Sequence, residues 1–122
     1  RLLLVEDNPV NLLAAQRTLE GQGHEVLPAA DGFEALRLLA AEDVDLVVMD
    51  LQMPRLDGLE VTRRIRAGKE GVRDPDVPVV ALTAHVFEDD RDSCLEAGMN
   101  AFLTKPVDWS AFNRTVAGLV SG

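Results

Sequence analysis

The chain has 122 residues, a formal net charge of -9 and a hydrophobic fraction of 47%. A chain of this length buries an ordinary core in one unit, so we expect a single domain over residues 1–122. The negative charge repels phosphate backbones and anionic lipid surfaces alike, which argues against direct binding to nucleic acid or to a membrane.

The sequence also lacks the signals of export and membrane insertion. Its apolar runs are far shorter than the roughly 20 residues that span a bilayer, and the N-terminal LLLV follows one arginine instead of a charged leader. The single cysteine, Cys94, excludes an internal disulfide and a cysteine-based zinc cluster. We therefore expect a cytoplasmic protein, and the first residue, which is not Met, leaves open whether the chain is complete or a fragment of a longer protein.

The N-terminal segments alternate between strand and helix. The apolar run 2–5 has the length of a strand, and Asn8 followed by Pro9 is typical of a helix N-cap with proline at the first helical position. Gly21 and Gly23 end this first helix. Residues 24–29 predict the second strand.

The middle of the chain continues the same alternation. Asp31 predicts the N-cap of a second helix that ends near Glu42. The nearly continuous apolar run 44–49 predicts a third strand that is covered on both faces. Asp57 then predicts the cap of a third helix, which stops at Gly68 before a polar loop.

The C-terminal segments predict two further strands and two further helices. The strands are residues 77–82 and 101–104. The fourth helix runs from about 87 or 88 to 97 and stops at Gly98, and the fifth runs from Asp108 to about 120. Five strands that alternate with five helices predict an α/β domain with a parallel sheet. In such sheets ligands bind beyond the carboxyl ends of the strands.

Polar side chains stand at four of these strand ends: Glu6 and Asp7, Asp50, Thr83, and Lys105. If strands one and three are neighbours, three carboxylates meet in one pocket, where they repel unless a cation lies among them. Oxygen ligands without histidine or cysteine favour Mg²⁺. The open side could then hold a phosphoryl group against the metal, the Lys105 ammonium and the Thr83 hydroxyl, with Asp50 as the nucleophile.

Each of these residues also has an ordinary interpretation. A Glu-Asp pair before a helix is a favourable charge at the helix N-terminus, Asp50 could cap a turn, and Lys105 could be a solvated turn residue. Thr83 alone is uninformative. The agreement of four strand ends on one chemistry favours the site.

The motifs LLVEDN, MDLQMPRLDG, ALTA and FLTKP run through essentially the whole chain, and they resemble a response-regulator receiver domain of two-component signalling. The resemblance implies a flavodoxin-like, doubly wound sheet in the order 2-1-3-4-5. It implies that Asp50 accepts the phosphoryl group, and that Asp7, Asp50 and the Gln52 backbone carbonyl bind Mg²⁺ directly. Glu6 would bind the metal through water, and Lys105 would pair with the phosphoryl oxygens.

The resemblance also implies how phosphorylation is tuned and read out. Gln52 and His85 would set the rate of aspartyl-phosphate hydrolysis, although His85 could equally be only a partner contact. Thr83 would move toward the phosphoryl group, and the ring of Phe102 would fill the vacated space; plain core packing is the alternative for Phe102. A cis bond before Pro106 would aim the preceding lysine into the pocket.

The implied phosphoryl donor is a phosphohistidine on a histidine kinase or a histidine phosphotransfer domain. The phrases EDNPVN and LQMPRLDGLE look most like receivers of hybrid sensor histidine kinases, and we expect no output module within this chain. Asn11 and the exposed part of the first helix would face the phosphotransfer partner. The fourth helix, fifth strand and fifth helix would carry the switched surface. Trp109 could belong to that surface or could only pack the last helix against the sheet. We expect a monomer or a weak dimer.

Two other functions are compatible with parts of the pattern. A haloacid-dehalogenase-like phosphatase also uses an aspartyl nucleophile with Mg²⁺, but it requires two aspartates that flank one residue, whereas VEDN has adjacent acids. A binding-only receiver would dock partners without being phosphorylated, yet such proteins usually lose an acid, the threonine or the lysine. A receiver by itself catalyses only its own phosphorylation and dephosphorylation; kinase activity would belong to a full-length hybrid protein.

Overall fold

Five parallel strands form one sheet in the computed structural model, in the order β2-β1-β3-β4-β5. The structure describes residues 1–51, 57–68, 71–83, 92, 95–104 and 108–120. The strands are β1 (Leu2–Val5), β2 (Val26–Ala29), β3 (Leu46–Asp50), β4 (Val79–Thr83) and β5 (Ala101–Thr104). The predicted α/β class and strand order are confirmed.

Four helices connect or follow these strands within the described residues: α1 (Pro9–Gly21), α2 (Gly32–Ala41), α3 (Gly58–Arg66) and a C-terminal helix (Trp109–Val120). Each begins where a short polar side chain accepts hydrogen bonds from backbone N–H groups of the first turn, which are otherwise unpaired. These side chains are those of Asn8, Asp31, Asp57 and Asp108. All four predicted N-caps are confirmed.

The structure moves the boundaries of three predicted strands. β2 begins at Val26, two residues after the predicted start, because a turn with Gly23 at a φ of 95° precedes it. β3 and β4 begin two residues later than predicted and end one residue later, at Asp50 and Thr83. The neighbouring strands extend the ladder, since Asp50 is in register with Leu82 and Thr83 with Thr104.

The predicted fourth helix lies partly outside the described residues. Residues 92 and 95–97 are helical. Gly98 follows them with a φ of 101°, a conformation that glycine adopts without steric cost, which agrees with the predicted stop.

Alternate residues of the strands build a core on each face of the sheet. One cluster joins Leu3, Val47 and Val79 to side chains of α2 and α3, and the other joins Leu4 and Val48 to side chains of α1 and the C-terminal helix. Covered on both faces, the central strands carry near-continuous apolar runs. Within the described part of the chain, the helices lack the length and apolarity that crossing a bilayer requires.

Candidate functional site

The carboxyl ends of β1, β3 and β4 bring four of the predicted site residues to one edge of the sheet. Glu6 and Asp7 follow β1 directly, while Asp50 and Thr83 are the last residues of β3 and β4. β1 and β3 are neighbours, and so are β3 and β4. Strands one and three are therefore adjacent, as the predicted meeting of the three acids requires.

The three carboxylates form a compact cluster. Glu6, Asp7 and Asp50 each place one carboxylate oxygen within 4.8 Å of the others. Glu6 is 6% exposed and Asp50 is 2% exposed, whereas Asp7 is an exposed residue. The cluster therefore has a buried side formed by Glu6 and Asp50 and an open side at Asp7.

Backbone contacts fix the loop that carries Glu6 and Asp7. The Glu6 N–H donates to the carbonyl of Ala29 at the end of β2 over 3.1 Å. The carboxylate oxygen Oε1 of Glu6 accepts the backbone N–H of Asn8 over 3.2 Å, and the Asn8 side chain caps α1. Glu6 is thus tied to β2 on one side and to the beginning of α1 on the other.

The neighbouring strand fixes the backbone around Asp50. Asp50 is in register with Leu82, and the N–H of Leu51 donates to the carbonyl of Leu82 over 3.0 Å. Thr83, 5% exposed, follows Leu82 directly. The backbone ladder between β3 and β4 therefore sets the positions of Asp50 and Thr83 relative to each other.

The donor set of this cluster fits a hard divalent cation. Three carboxylates at this separation repel one another, and the repulsion is strongest where Glu6 and Asp50 are withdrawn from water. All three offer oxygen, and an exposed member leaves room for metal-bound water, which Mg²⁺ retains. Glu6, Asp7 and Asp50 could therefore hold one Mg²⁺ ion.

Four other predicted site residues fall outside the described residues, and for Phe102 the structure shows only where the ring packs. Gln52, His85, Lys105 and Pro106 lie outside the described residues. Phe102 is partly buried and packs against the core cluster on the α2 and α3 face.

Trp109 is partly buried against the opposite cluster, with its ring centroid 5.2 Å from that of Phe112. Trp109 therefore packs against the core on this face.

Gly58, at the beginning of α3, is a residue of this region that the sequence prediction missed. A Cβ built on Gly58 would lie 2.7 Å from the backbone carbonyl oxygen of Asp50. The sequence predicts only a helix start at Asp57, because the close approach between the first turn of α3 and the end of β3 leaves no local pattern. The Asp50 backbone thus lies in close contact with the first turn of α3.

Comparisons with known proteins agree with this geometry. The family model described as response regulator receiver domain matches residues 2–117. GacS, a sensor protein of Pseudomonas syringae pv. syringae, is 44% identical over 107 residues, which are 88% of this chain and 12% of GacS. The sensor histidine kinase RcsC of Salmonella typhi is 36% identical over 116 residues, which are 95% of this chain and 12% of RcsC. The chain thus spans about an eighth of the length of these relatives.

A solved structure is similar over nearly the whole fold. The receiver domain of the sensor histidine kinase PA1611 from Pseudomonas aeruginosa PAO1 is 40% identical, with a TM-score of 0.86 over 99% of this chain and 97% of that one. That protein was crystallised with a magnesium ion coordinated in its active-site cleft. Sequence motifs, strand order and fold similarity agree, and the chain belongs to the response regulator receiver domain family.

Proposed function

We propose that this domain takes a phosphoryl group from a partner phosphohistidine onto Asp50 in a Mg²⁺-dependent reaction. The observation that carries the proposal is the cluster of Glu6, Asp7 and Asp50, whose carboxylate oxygens lie within 4.8 Å of one another at the carboxyl edge of the sheet. A magnesium ion in the related PA1611 receiver supports the choice of metal. Asp50 is the last residue of a buried strand and is in register with Leu82 of β4.

In the proposed reaction a carboxylate oxygen of Asp50 attacks the phosphorus atom in line with the leaving group. A new P–O bond forms, the P–N bond to the histidine breaks, and the imidazole leaves with the bonding pair and takes up a proton. Catalysis of this kind depends mainly on positioning and on neutralising the negative charges of both reactants. Bound Mg²⁺ would supply positive charge between the acids and the phosphoryl oxygens.

The protein groups divide the remaining work. Asp7, on the open side of the cluster, and Asp50 are proposed as direct metal ligands together with the Gln52 backbone carbonyl. Glu6, whose carboxylate already accepts the Asn8 N–H over 3.2 Å, is proposed to act through metal-bound water. Lys105 is proposed to pair with the phosphoryl oxygens.

Hydrolysis of the aspartyl phosphate is proposed to be tuned by Gln52 and His85. Water must line up with the acyl phosphate for hydrolysis, so side chains two positions beyond Asp50 and Thr83 are suitable for admitting or excluding it. A cis bond before Pro106 is proposed to aim the lysine ammonium at the site. Exchange of Lys105 for alanine should then leave metal binding intact and impair signal transmission.

Thr83 and Phe102 are the proposed switch. The register pairs Ala81 with Phe102 and Thr83 with Thr104, so Thr83 and Phe102 belong to the same face of adjacent strands. The Thr83 hydroxyl would move to the phosphoryl group, and the partly buried Phe102 ring would follow. Reversing a population from 1:99 to 99:1 takes about 5.5 kcal/mol of differential interaction, which a few charge-assisted hydrogen bonds can supply.

The proposed setting is a hybrid sensor histidine kinase in the cytoplasm, in line with the similarity to GacS and RcsC. The partner is then a histidine kinase or histidine phosphotransfer domain, and the net charge of -9 disfavours direct contact with nucleic acid or anionic membranes. A monomer or weak dimer is proposed. The kinase activity would belong to the full-length protein.

The test is incubation of the purified chain with Mg²⁺ and acetyl phosphate, a small donor that loses acetate when Asp50 attacks its phosphorus. Intact-mass spectrometry should detect one added phosphoryl group per chain, labile to acid or base, and none in Asp50→Asn. Asp31→Asn is the matched control, because it makes the same change at an aspartate outside the Glu6, Asp7 and Asp50 cluster, and asparagine caps a helix as well as aspartate does.

Other outcomes identify the rival functions. Release of many equivalents of phosphate would indicate a phosphatase, and absence of both labelling and turnover would indicate a binding-only receiver. Full labelling of Asp50→Asn would show that the acceptor is another residue. Each of these three results contradicts the proposal.

A further inference from the structure

The contact between the first turn of α3 and the end of β3 is closer than any ordinary side chain allows. A Cβ at Gly58 would lie 2.7 Å from the carbonyl oxygen of Asp50, 2.9 Å from Cγ of Met49 and 3.1 Å from Cα of Leu51. Two of these three atoms belong to the backbone, so a rotamer change cannot relieve the overlap. Glycine is needed here for space, since its φ lies outside the left-handed region.

α3 is the more firmly held partner in this contact. Val61 and Ile65 on its inner side are 0% exposed and belong to the core. Thr62, also 0% exposed, donates its hydroxyl to the carbonyl of Gly58 over 2.8 Å and so fastens the first turn. At its last residue, the Arg66 guanidinium donates to Pro75, Val77, Gly98 and Asn100.

The other side of this contact is the end of β3. The register with β1 ends at the pair Val5 and Met49, whereas the register with β4 continues to the pair Asp50 and Leu82. Asp50 therefore lies one residue beyond the pairing with β1. Pressure from a side chain at position 58 would fall on the Asp50 backbone and move its carboxylate relative to Glu6 and Asp7.

We infer that Gly58, held in place by Thr62, is a positioning residue for phosphoryl transfer to Asp50. This inference rests on the proposed function of Asp50. The Asp50 backbone packs directly against the first turn of α3, and this contact fixes the orientation of the carboxylate for in-line attack. A displacement of about 1 Å at a reacting group can cost about a hundredfold in rate.

Gly58→Ala tests the inference directly. Alanine favours helix by up to about 1 kcal/mol over glycine, so local propensity predicts no loss of folding. We expect the rate of labelling by acetyl phosphate at saturating Mg²⁺ to fall by at least about tenfold, within the range that such displacements produce. Gly21→Ala and Gly118→Ala are matched controls: both glycines are helical, and a Cβ at either meets no atom within 4 Å.

A purely structural role for Gly58 would give a different result. Loss of stability alone lowers the folded fraction, whereas loss of positioning lowers the rate per folded molecule and weakens the apparent affinity for Mg²⁺, which shares the Asp50 carboxylate. Both quantities are measured below the unfolding transition, with the folded fraction taken from circular dichroism. A rate per folded molecule equal to that of the two control variants would overturn the inference.

Exchanges at Thr62 keep the test decisive if Gly58→Ala does not fold. Thr62→Val keeps the side-chain volume and removes the hydroxyl that holds the Gly58 carbonyl, so the labelling rate should fall; Thr62→Ser retains the donor and should restore it. Equal rates in the two variants would contradict the inference. Wild-type chain that takes no label would instead contradict the proposed function.

Discussion

The two ends of the sheet treat charged groups in opposite ways. At the amino ends of β4 and β5, the single guanidinium of Arg66 donates to the carbonyls of Pro75, Val77 and Gly98 and to Oδ1 of Asn100, over distances of 2.7 to 2.9 Å. At the carboxyl ends of β1 and β3, three carboxylates crowd within 4.8 Å of one another. At the amino ends, a positive charge faces the negative ends of carbonyl and amide dipoles. At the carboxyl ends, three negative charges lie close together.

This difference separates what stabilises the fold from what performs its chemistry. Arg66 joins α3 to the segments that enter β4 and β5, so the amino end fastens three elements with one side chain. Burial lowers the pKa of the Arg66 guanidinium, against the raising effect of Asp76 and Asp74, and an arginine stays charged in either case. The carboxyl end instead keeps a repulsion that an arriving cation relieves.

The largest expected effect is a loss of stability when the hydrogen bonds of Arg66 at the amino ends of β4 and β5 are removed. Arg66→Met keeps much of the side-chain length and removes all four donated hydrogen bonds, so we expect the free energy of unfolding to fall by about 3 kcal/mol. Labelling by acetyl phosphate per folded molecule should remain near that of the wild type. Denaturant titration and intact-mass spectrometry measure the two quantities.

Arg63→Met is the matched control for that exchange. Arg63 lies on the same helix, its side chain is 53% exposed, and its guanidinium lies 3.6 Å from Glu60, a geometry that contributes about 0–1 kcal/mol. If both variants lost equally little stability, the Arg66 cluster would not fasten the amino end. If Arg66→Met lost labelling per folded molecule as well, the two ends would not act independently.

The next largest effect is stabilisation of the fold by Mg²⁺ at the carboxyl ends of β1 and β3. Mg²⁺ at about a hundred times its dissociation constant should stabilise the fold by about 2.7 kcal/mol, because it binds the folded cluster and relieves the repulsion there. Asp7→Asn removes the exposed ligand and should abolish most of this gain. Thermal unfolding with and without the metal measures it.

Two controls separate binding from general salt effects. Sodium chloride at matched ionic strength screens charges without occupying the site and should reproduce only a small part of the gain. Glu20→Gln removes an exposed carboxylate near the far end of α1 and should leave the Mg²⁺ response unchanged. Equal stabilisation by the two salts would contradict a specific metal centre.

The carboxyl end was the more predictable of the two from sequence. Strand runs, caps and strand-end acids are local patterns, and once β1 and β3 are neighbours, Glu6, Asp7 and Asp50 must meet. The strand order itself came from the family resemblance, because local patterns do not say which strands pair. The shifts at Asp50 and Thr83 arise from the ladder with the next strand, which extends each strand beyond its apolar run.

The amino end and the support beneath Asp50 could not be predicted in this way. Arg66 reaches Gly98 and Asn100, more than thirty positions along the chain, and an arginine in the last helical turn has an ordinary solvated interpretation. Gly58 lies against the Asp50 backbone and has no positional signature beyond the start of a helix. Contacts of this kind depend on tertiary packing, which a single sequence does not spell out.

The smallest expected effect lies where stability and site meet, at Asn8. Its side chain caps α1, while its backbone N–H donates to Glu6, so Asn8→Ala removes the cap and keeps the contact with the site. We expect a loss of about 1 kcal/mol in the free energy of unfolding, with little change in Mg²⁺ affinity. Asn8→Ser retains a capping oxygen and should lose much less. A fall in Mg²⁺ affinity in Asn8→Ala that Asn8→Ser reverses would make the cap part of the metal centre, and the separation between a stabilising end and a chemical end would then fail at this residue.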